Sequence, residues 1–311
     1  MSKNSLKLPP MSAVRVFEAA ARHQSFTRAA EELGMTQAAV SYQIRMLEDR
    51  VGAPLFVRHA RHVALTAHGS QLAPSVTEAF DLLRAAFDGI DEAVQATLSI
   101  TTLTTVAANW LVPRLGRFQQ LHPGIAVQID VNSQLVDFSK SDFDLGIRSG
   151  TGTWPGLESH FLFPNQFTPV CSPDLLRRAN LREPADLLNL PLIAPSDPWW
   201  QDWFTAAGVS CIDLSNRPDF SLGAQQFEGM AAMAGQGVAL VNPFFFRGDL
   251  AEGRLIQPFD LVVTADRSYW IVYPKARRRA HKIQAFRDWL TSELASDAKR
   301  MDASDPKQAL A

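Results

Sequence analysis

Ser25-Phe26-Thr27-Arg28-Ala29-Ala30-Glu31-Glu32-Leu33-Gly34-Met35-Thr36-Gln37-Ala38-Ala39-Val40-Ser41-Tyr42-Gln43-Ile44-Arg45-Met46-Leu47 is the stretch on which the fold turns. Ser25 and Thr36 each stand where a helix N-cap belongs, because a short hydroxyl can accept from an otherwise unpaired N–H of the first turn. Between the two helices Gly34 can take the left-handed conformation that a tight turn requires. The second helix turns Phe26, Ala29, Ala30 and Leu33 inward, and its small alanines permit close helix crossing. In the third, Gln37 to Val51 runs without Pro or Gly, and Val40, Ile44, Leu47 and Val51 recur at steps of four, three and four, one buried stripe. Upstream, Met11 to Arg22 forms a first helix with Val14, Phe17 and Ala21 inward.

Downstream, Phe56 to Leu65 alternates as a hairpin carrying Arg58 and Arg61. Three short helices followed by a basic hairpin form the layout of a winged helix-turn-helix. A major groove admits one helix and is read mainly by its N-terminal residues. The candidate DNA contacts are therefore Thr36, Gln37, Ala38, Ser41, Tyr42 and Arg45, with Thr27 and Arg28 on the preceding helix and Arg58 and Arg61 on the hairpin for phosphates. Residues 1–66 hold nine Lys plus Arg against five Asp plus Glu, in a chain whose net charge is −2. Positive charge is thus concentrated on the segment that would meet a polyanion. A helical core module that never meets DNA is the alternative; the polar outer face and basic hairpin argue against it.

The run from Met11 to Thr66 resembles the LysR-type transcriptional regulators, through Phe17-Glu18-Ala19-Ala20-Ala21, Ser25 to Ala30, Ala39-Val40-Ser41, Leu47-Glu48, Leu55-Phe56-Val57-Arg58 and Leu65-Thr66. Within that family it is most similar to the subgroup of glycine-cleavage and β-lactamase regulators. The likeness continues in Trp110 to Leu115, Asp144 to Arg148, Val170 to Pro173 and Gly237 to Leu240. It implies an all-α winged helix-turn-helix at 9–66, a linker and dimerisation helix at 67–95, and an α/β effector module at 97–295. That module would have two Rossmann-like subdomains (97–163 with 266–295, and 164–265), as in periplasmic binding proteins. It also implies a homodimer or dimer of dimers on double-stranded promoter DNA, RNA polymerase as a further partner, and a small-molecule effector with no other cofactor.

The linker can be read without the family. Leu72, Val76, Phe80, Leu83, Phe87, Ile90 and Val94 follow at near-heptad intervals, so the helix requires a partner: a second copy, or alternatively its own effector domain. Pro74 is expected to bend its first turns. From Thr97 the pattern alternates strand and helix, the texture of an α/β fold with largely parallel strands. After Ala295 periodicity ceases, so 296–311 reads as a frayed tail.

Ligands of open α/β sheets bind beyond the carboxyl ends of strands, near helix N-termini. Three places qualify: Thr104 and Thr105 after the first strand of the module, Arg148, Ser149 and Gly150 at the end of a later one, and Gln225 with Gln226 opening a helix. Hydroxyls, amides and a guanidinium suit a small polar or anionic effector. Trp199, Trp200 and Trp203 either wall that pocket or belong to the core. Relatives of the subgroup often carry Asp where Gln opens the helix here, which weakens the case for an amino group on the ligand.

The remaining features exclude other classes. No stretch reaches about 18 apolar residues and Met1 to Pro10 is too polar for a signal peptide, so a cytoplasmic, non-membrane protein is expected. A transporter's solute-binding protein would begin with a secretory signal and lack residues 12–66. An enzyme is disfavoured by the absence of GxSxG, HExxH, P-loop and complete GxGxxG motifs. Cys171 and Cys211 show neither metal spacing nor a disulfide framework; a redox pair is the alternative to buried structural thiols. The basic run Lys275 to Lys282 reads as a solvated face, with nucleic-acid binding as its rival.

Overall fold

The computed structural model describes residues 8–59, 62–88, 96–134, 136–138, 140–210 and 212–304. The chain divides into two compact units: residues 1–94 with Val136–Asp142 and Lys275–His281, and Gln95–Leu135 with Phe143–Pro274 and Lys282–Ala311.

In the first unit α1 (Met11–His23), α2 (Phe26–Leu33) and α3 (Gln37–Val51) precede a hairpin of β1 (Phe56–Arg58) and β2 (Val63–Leu65), then α4 (Ala67–Asp88). Ser25 Oγ accepts from Arg28 N and Thr36 Oγ1 from Ala39 N, so both expected caps form. Gly34 sits at φ 63°, and Met35 N–H returns to Ala30 O at 2.8 Å to close α2. Phe17, Ala20, Phe26, Ala29, Val40, Ile44, Leu47, Leu55 and Phe56 make the core. Val51 departs from its expected stripe: it is 44% exposed, because Gly52 ends α3 in a left-handed cap and turns the chain away. Outside the core, Arg22 pairs with Glu18 and Glu32, tying α1 to α2.

The linker seam is split. Leu72 and Val76 pack on the core of the winged helix-turn-helix (α1 to β2, the reader of the expected DNA), whereas Leu82 and Leu83 remain exposed and Phe80 half-buried. The Phe87 side chain, Ile90 and Val94 lie outside the description. A Cβ at Gly69 would collide with the Leu55 carbonyl, so this glycine lets α4 start flush against the reader. Thr66 fixes that start, donating to Pro54 O at 2.7 Å and accepting from Gly69 N at 3.0 Å. Pro74 lies inside α4 on its exposed side, where the missing N–H is least costly.

In the second unit β3 (Ala96–Thr102) leads into a helical run: α5 (Thr104–Val106), a π-turn (Ala107–Leu111), a 3-10 turn (Val112–Arg114) and α6 (Leu115–Leu121). Pro113, with no N–H to donate back, breaks the α-helical register of this run. Then follow β4 (Ile125–Val131), β5 (Leu145–Gly150), β6 (Leu157–Val170), α7 (Pro173–Arg178), a 3-10 segment (Pro184–Asn189), α8 (Pro198–Ala206), α9 (Gln225–Met233), β7 (Ala239–Val241), a 3-10 turn (Pro243–Phe246), α10 (Arg247–Ala251), β8 (Val263–Pro274) and α11 (His281–Ser304). The strand order is β4-β3-β5-β8-β6-β7.

Among the described strands, β4, β3 and β5 pair in parallel and the other pairings are antiparallel. The long strands β6 and β8 run antiparallel to each other and carry the chain twice between the two halves of this unit. Bulges between Phe161 and Phe163 and between Pro164 and Gln166 break their ladder, the second beside a proline that cannot donate. In the second half, alternation of strand and helix is weaker: Leu192 makes one parallel bridge to Val238, and Ala194 N donates to Phe220 O at 3.0 Å. Phe167, Trp200, Trp203, Phe204 and Val238 form its core.

The frayed tail requires correction. Helix α11 continues to Ser304, and Asp297, 5% exposed, accepts from Trp110 Nε1 at 2.9 Å, Arg114 Nη2 at 3.1 Å and Arg247 Nη2 at 2.9 Å. Three donors outweigh the polar composition. Residues 305–311 lie outside the description.

Candidate functional site

The reader presents Thr27, Arg28, Thr36, Gln37, Ala38, Tyr42 and Arg45 on one exposed side, with Ser41 half-buried among them. Tyr42 is 62% exposed, a large aromatic left uncovered by the reader's own packing. The Arg58 guanidinium lies over the Phe26 ring at 5.3 Å, so the hairpin arginine is held beside the start of α2 while remaining exposed. Arg61 lies outside the described residues. Glu48, absent from the sequence-based selection, accepts from Leu55 N at 2.7 Å and Phe56 N at 3.2 Å and so fixes the hairpin to α3.

The second unit contains a cleft of about 460 Å³. Thr104 and Thr105, at the turn from β3 into α5, line it, and so does Gln225 at the start of α9. Thr105 is 7% exposed, and its hydroxyl accepts from Gln226 N at 3.0 Å, joining the start of α5 to the start of α9. Gln225 Oε1 accepts from Asn242 N at 2.7 Å. Gln226 touches the cleft's framework through that backbone N–H and is not among the lining residues.

Arg148, Ser149 and Gly150 do not line the cleft. The Arg148 side chain is buried and donates to Asn132 O and Thr101 Oγ1, strapping the ends of β3 and β4. Burial lowers its pKa, against the opposing charge of Asp130. Gly150 O accepts from Trp270 Nε1 at 3.0 Å, and a Cβ at Gly150 would meet the Trp154 ring. Arg148 and Gly150 are thus packing elements, and Ser149 pairs with Tyr269 in the β5–β8 ladder.

The cleft instead includes Asp197, Ser196, Ser221, Glu228, Ser133 and Tyr269. Asp197 caps α8, accepting from Trp199 N at 2.9 Å. Burial raises its pKa, with Asp202 adding to the rise and the Trp199 N–H opposing it. Glu228 is 8% exposed; burial, with Asp197 nearby, pushes its carboxyl up to about 7. Tyr269 is buried and its phenol raised by desolvation. Trp199 lines the cleft and stacks on Phe167 at 4.7 Å, whereas Trp200 and Trp203 are fully buried core. Ala194, also lining, has φ 49°, a strained conformation for a residue with a Cβ and one that clusters at functional sites.

Residues 11–70 match the bacterial regulatory helix-turn-helix protein, lysR family, and residues 91–295 match the LysR substrate binding domain. This chain belongs to the LysR family of transcriptional regulators. The regulator is 38% identical over 299 residues to the glycine cleavage system transcriptional activator of Escherichia coli (strain K12), covering 95% of this chain and 97% of that one. It is 37% identical over 294 residues to the transcriptional activator AmpR of Pseudomonas aeruginosa, covering 93% and 97%. Its fold is similar to the AmpR effector domain of Pseudomonas aeruginosa (TM-score 0.58, 31% identity, 66% of this chain and 98% of that one). It is likewise similar to ArgP from Mycobacterium tuberculosis (TM-score 0.66, 20% identity, 93% and 98%).

The other sequence features resolve physically. Cys171 is fully buried and desolvation raises its thiol to about 11, so it is an inert core residue; Cys211 lies outside the description. Lys282, from the basic run, pairs with Asp144 at 2.8 Å and donates to Thr97 O at 2.9 Å. Among the described residues no helix is long and apolar enough to cross a membrane, and no metal-binding group of His, Cys, Asp and Glu occurs.

Proposed function

We propose that this regulator binds promoter DNA as a homodimer or a pair of dimers through the exposed side of α3, and that an effector in the Thr105–Glu228 cleft tunes that binding. The observation that carries the reading is the pairing of an uncovered polar reading helix, Gln37 to Arg45, with an open polar cleft in a family effector domain. Gln can pair with adenine, Arg with guanine or phosphate, and the Ala38 methyl with thymine. Effector binding favours one closure state of the effector half and alters the bend of the bound DNA. RNA polymerase is the partner that responds, the setting is the cytoplasm, and the regulator performs no catalysis and uses no cofactor besides the effector. The cleft supports the polar effector over the anionic one, since the arginine meant for an anion is engaged elsewhere.

A gel shift with the DNA upstream of the gene tests the reading. A sequence-dependent complex that weakens with salt is expected. A shift equal for any duplex, or none, contradicts it.

A further inference from the structure

The cleft's charge is one-sided. Two of the described lining residues bear formal charge, Asp197 and Glu228, and both are acids; no Arg, Lys or His is among the described lining residues. Asp197 has a backbone partner at α8, whereas the Glu228 carboxyl, more than nine-tenths buried, has neither hydrogen bond nor ion pair among the described residues. An uncompensated acid in that position is costly unless a cation arrives with the ligand. Its place in the first turn of α9 favours its charged form through the helix dipole, but supplies no counter-ion.

The cation is of a particular kind. No described cluster offers three metal-ligating side chains, so a divalent ion lacks a cage. Trp199 and Tyr269 line the same space, and aromatic walls favour an organic cation. The Tyr269 hydroxyl also has no hydrogen-bonding partner among the described residues and lines the same cleft. A volume of about 460 Å³ fits a small molecule of amino-acid or dipeptide size.

We propose that the effector carries a protonated amino group received by Glu228, with Asp197 adding negative charge, and so belongs to the amines, amino acids or short peptides with a free amino terminus. This rests on the effector-cleft reading above. It reverses the expectation drawn from Gln225: the acid absent at the opening of the helix is supplied one turn later and by the neighbouring helix.

The test is thermal shift of the full chain with glycine, L-alanine, L-lysine, L-arginine, putrescine and Ala-Ala, beside their N-acetyl counterparts and the anions succinate and benzoate. At least one free amine is expected to raise Tm, its N-acetyl form is not, and Glu228→Gln should raise the half-saturating concentration about tenfold or more. Asp197→Asn, which retains the helix cap, should weaken binding less. For the amino acids and putrescine the response should also weaken from pH 8 to pH 6, since Glu228 takes up a proton there while Tyr269 and those amines do not titrate, whereas the terminal amine of Ala-Ala itself titrates at about pH 8; Asp197, raised by burial, is the other acid facing it. Equal stabilisation by acetylated or purely anionic compounds, an unchanged response in Glu228→Gln, or no shift with any amine overturns the proposal. DNA binding by the same samples reports independently on folding and on the regulator reading.

Discussion

Removing the Asp297 carboxylate should destabilise the effector half by about 3 kcal/mol. Asp297→Ala leaves Trp110 Nε1, in a side chain only 2% exposed, without its acceptor, and a buried unpaired donor costs about 1–3 kcal/mol. It also leaves Arg114 and Arg247, 20% and 29% exposed, without their shared anion; solvent screening limits that part to about 1 kcal/mol. At about 2–4 °C per kcal/mol for a unit of this size, Tm should fall by about 6–12 °C. Asp297→Asn, which keeps an acceptor for Trp110, should lose about 1 kcal/mol. Burial pushes the Asp297 carboxyl up, but the bonds from Trp110 and Arg247 and the charges of Arg114 and Arg247 bring it below its usual value. Its contribution is therefore present above the ordinary Asp range and lost as pH falls below it, so wild type and Asp297→Ala should converge in acid. Urea melts followed by tryptophan fluorescence suit the question, because all seven tryptophans lie at or beyond residue 110. A change under about 0.5 kcal/mol, or equal loss in the Asn variant, refutes the reasoning.

Three further outcomes are expected. Glu228, raised to about 7, contributes stability that is complete below its unfolded value of 4.5 and lost as pH rises through 7, on the order of 2–3 kcal/mol; Glu228→Gln should flatten the pH–stability profile across that window, as denaturant melts at pH 5 and 8 would show. A Cβ in Gly229→Ala would enter the ring of Phe246, itself 1% exposed, and should cost about 1–3 kcal/mol by the same melts. Arg58→Ala should weaken DNA binding about uniformly across sequences and reduce the slope of log affinity against log salt by about one, measured by anisotropy.

The reader was legible in the sequence because its determinants are local: hydroxyl caps, one glycine turn and apolar residues at helical spacing. The effector cleft was legible only where helix N-termini announce it, at Thr104, Thr105 and Gln225. Arg148 misled because a cation at a strand end resembles a ligand group, and nothing local reveals that Asn132 and Thr101 occupy it. Asp197 bears a sequence signal in Asp-Pro, a helix cap followed by a first-turn proline, yet capping alone does not tell that it faces a cavity. Glu228 bears none, since an acid in a helix's first turn is ordinarily solvated. The end of α11 could have been found by spacing: Phe286, Leu290, Glu293 and Asp297 continue one stripe at steps of four, three and four, with acids replacing apolar residues where arginines await them.

The central claim, that α3 reads DNA bases, is tested most directly by anisotropy titrations of labelled upstream DNA and a scrambled duplex at 50 to 200 mM salt, using wild type, Gln37→Ala and Arg45→Ala. Wild type should prefer the upstream duplex and lose affinity linearly in log salt, while each variant should lose about 1–3 kcal/mol on the upstream duplex and much less on the scrambled one. Equal affinity of wild type and both variants for both duplexes would contradict the account.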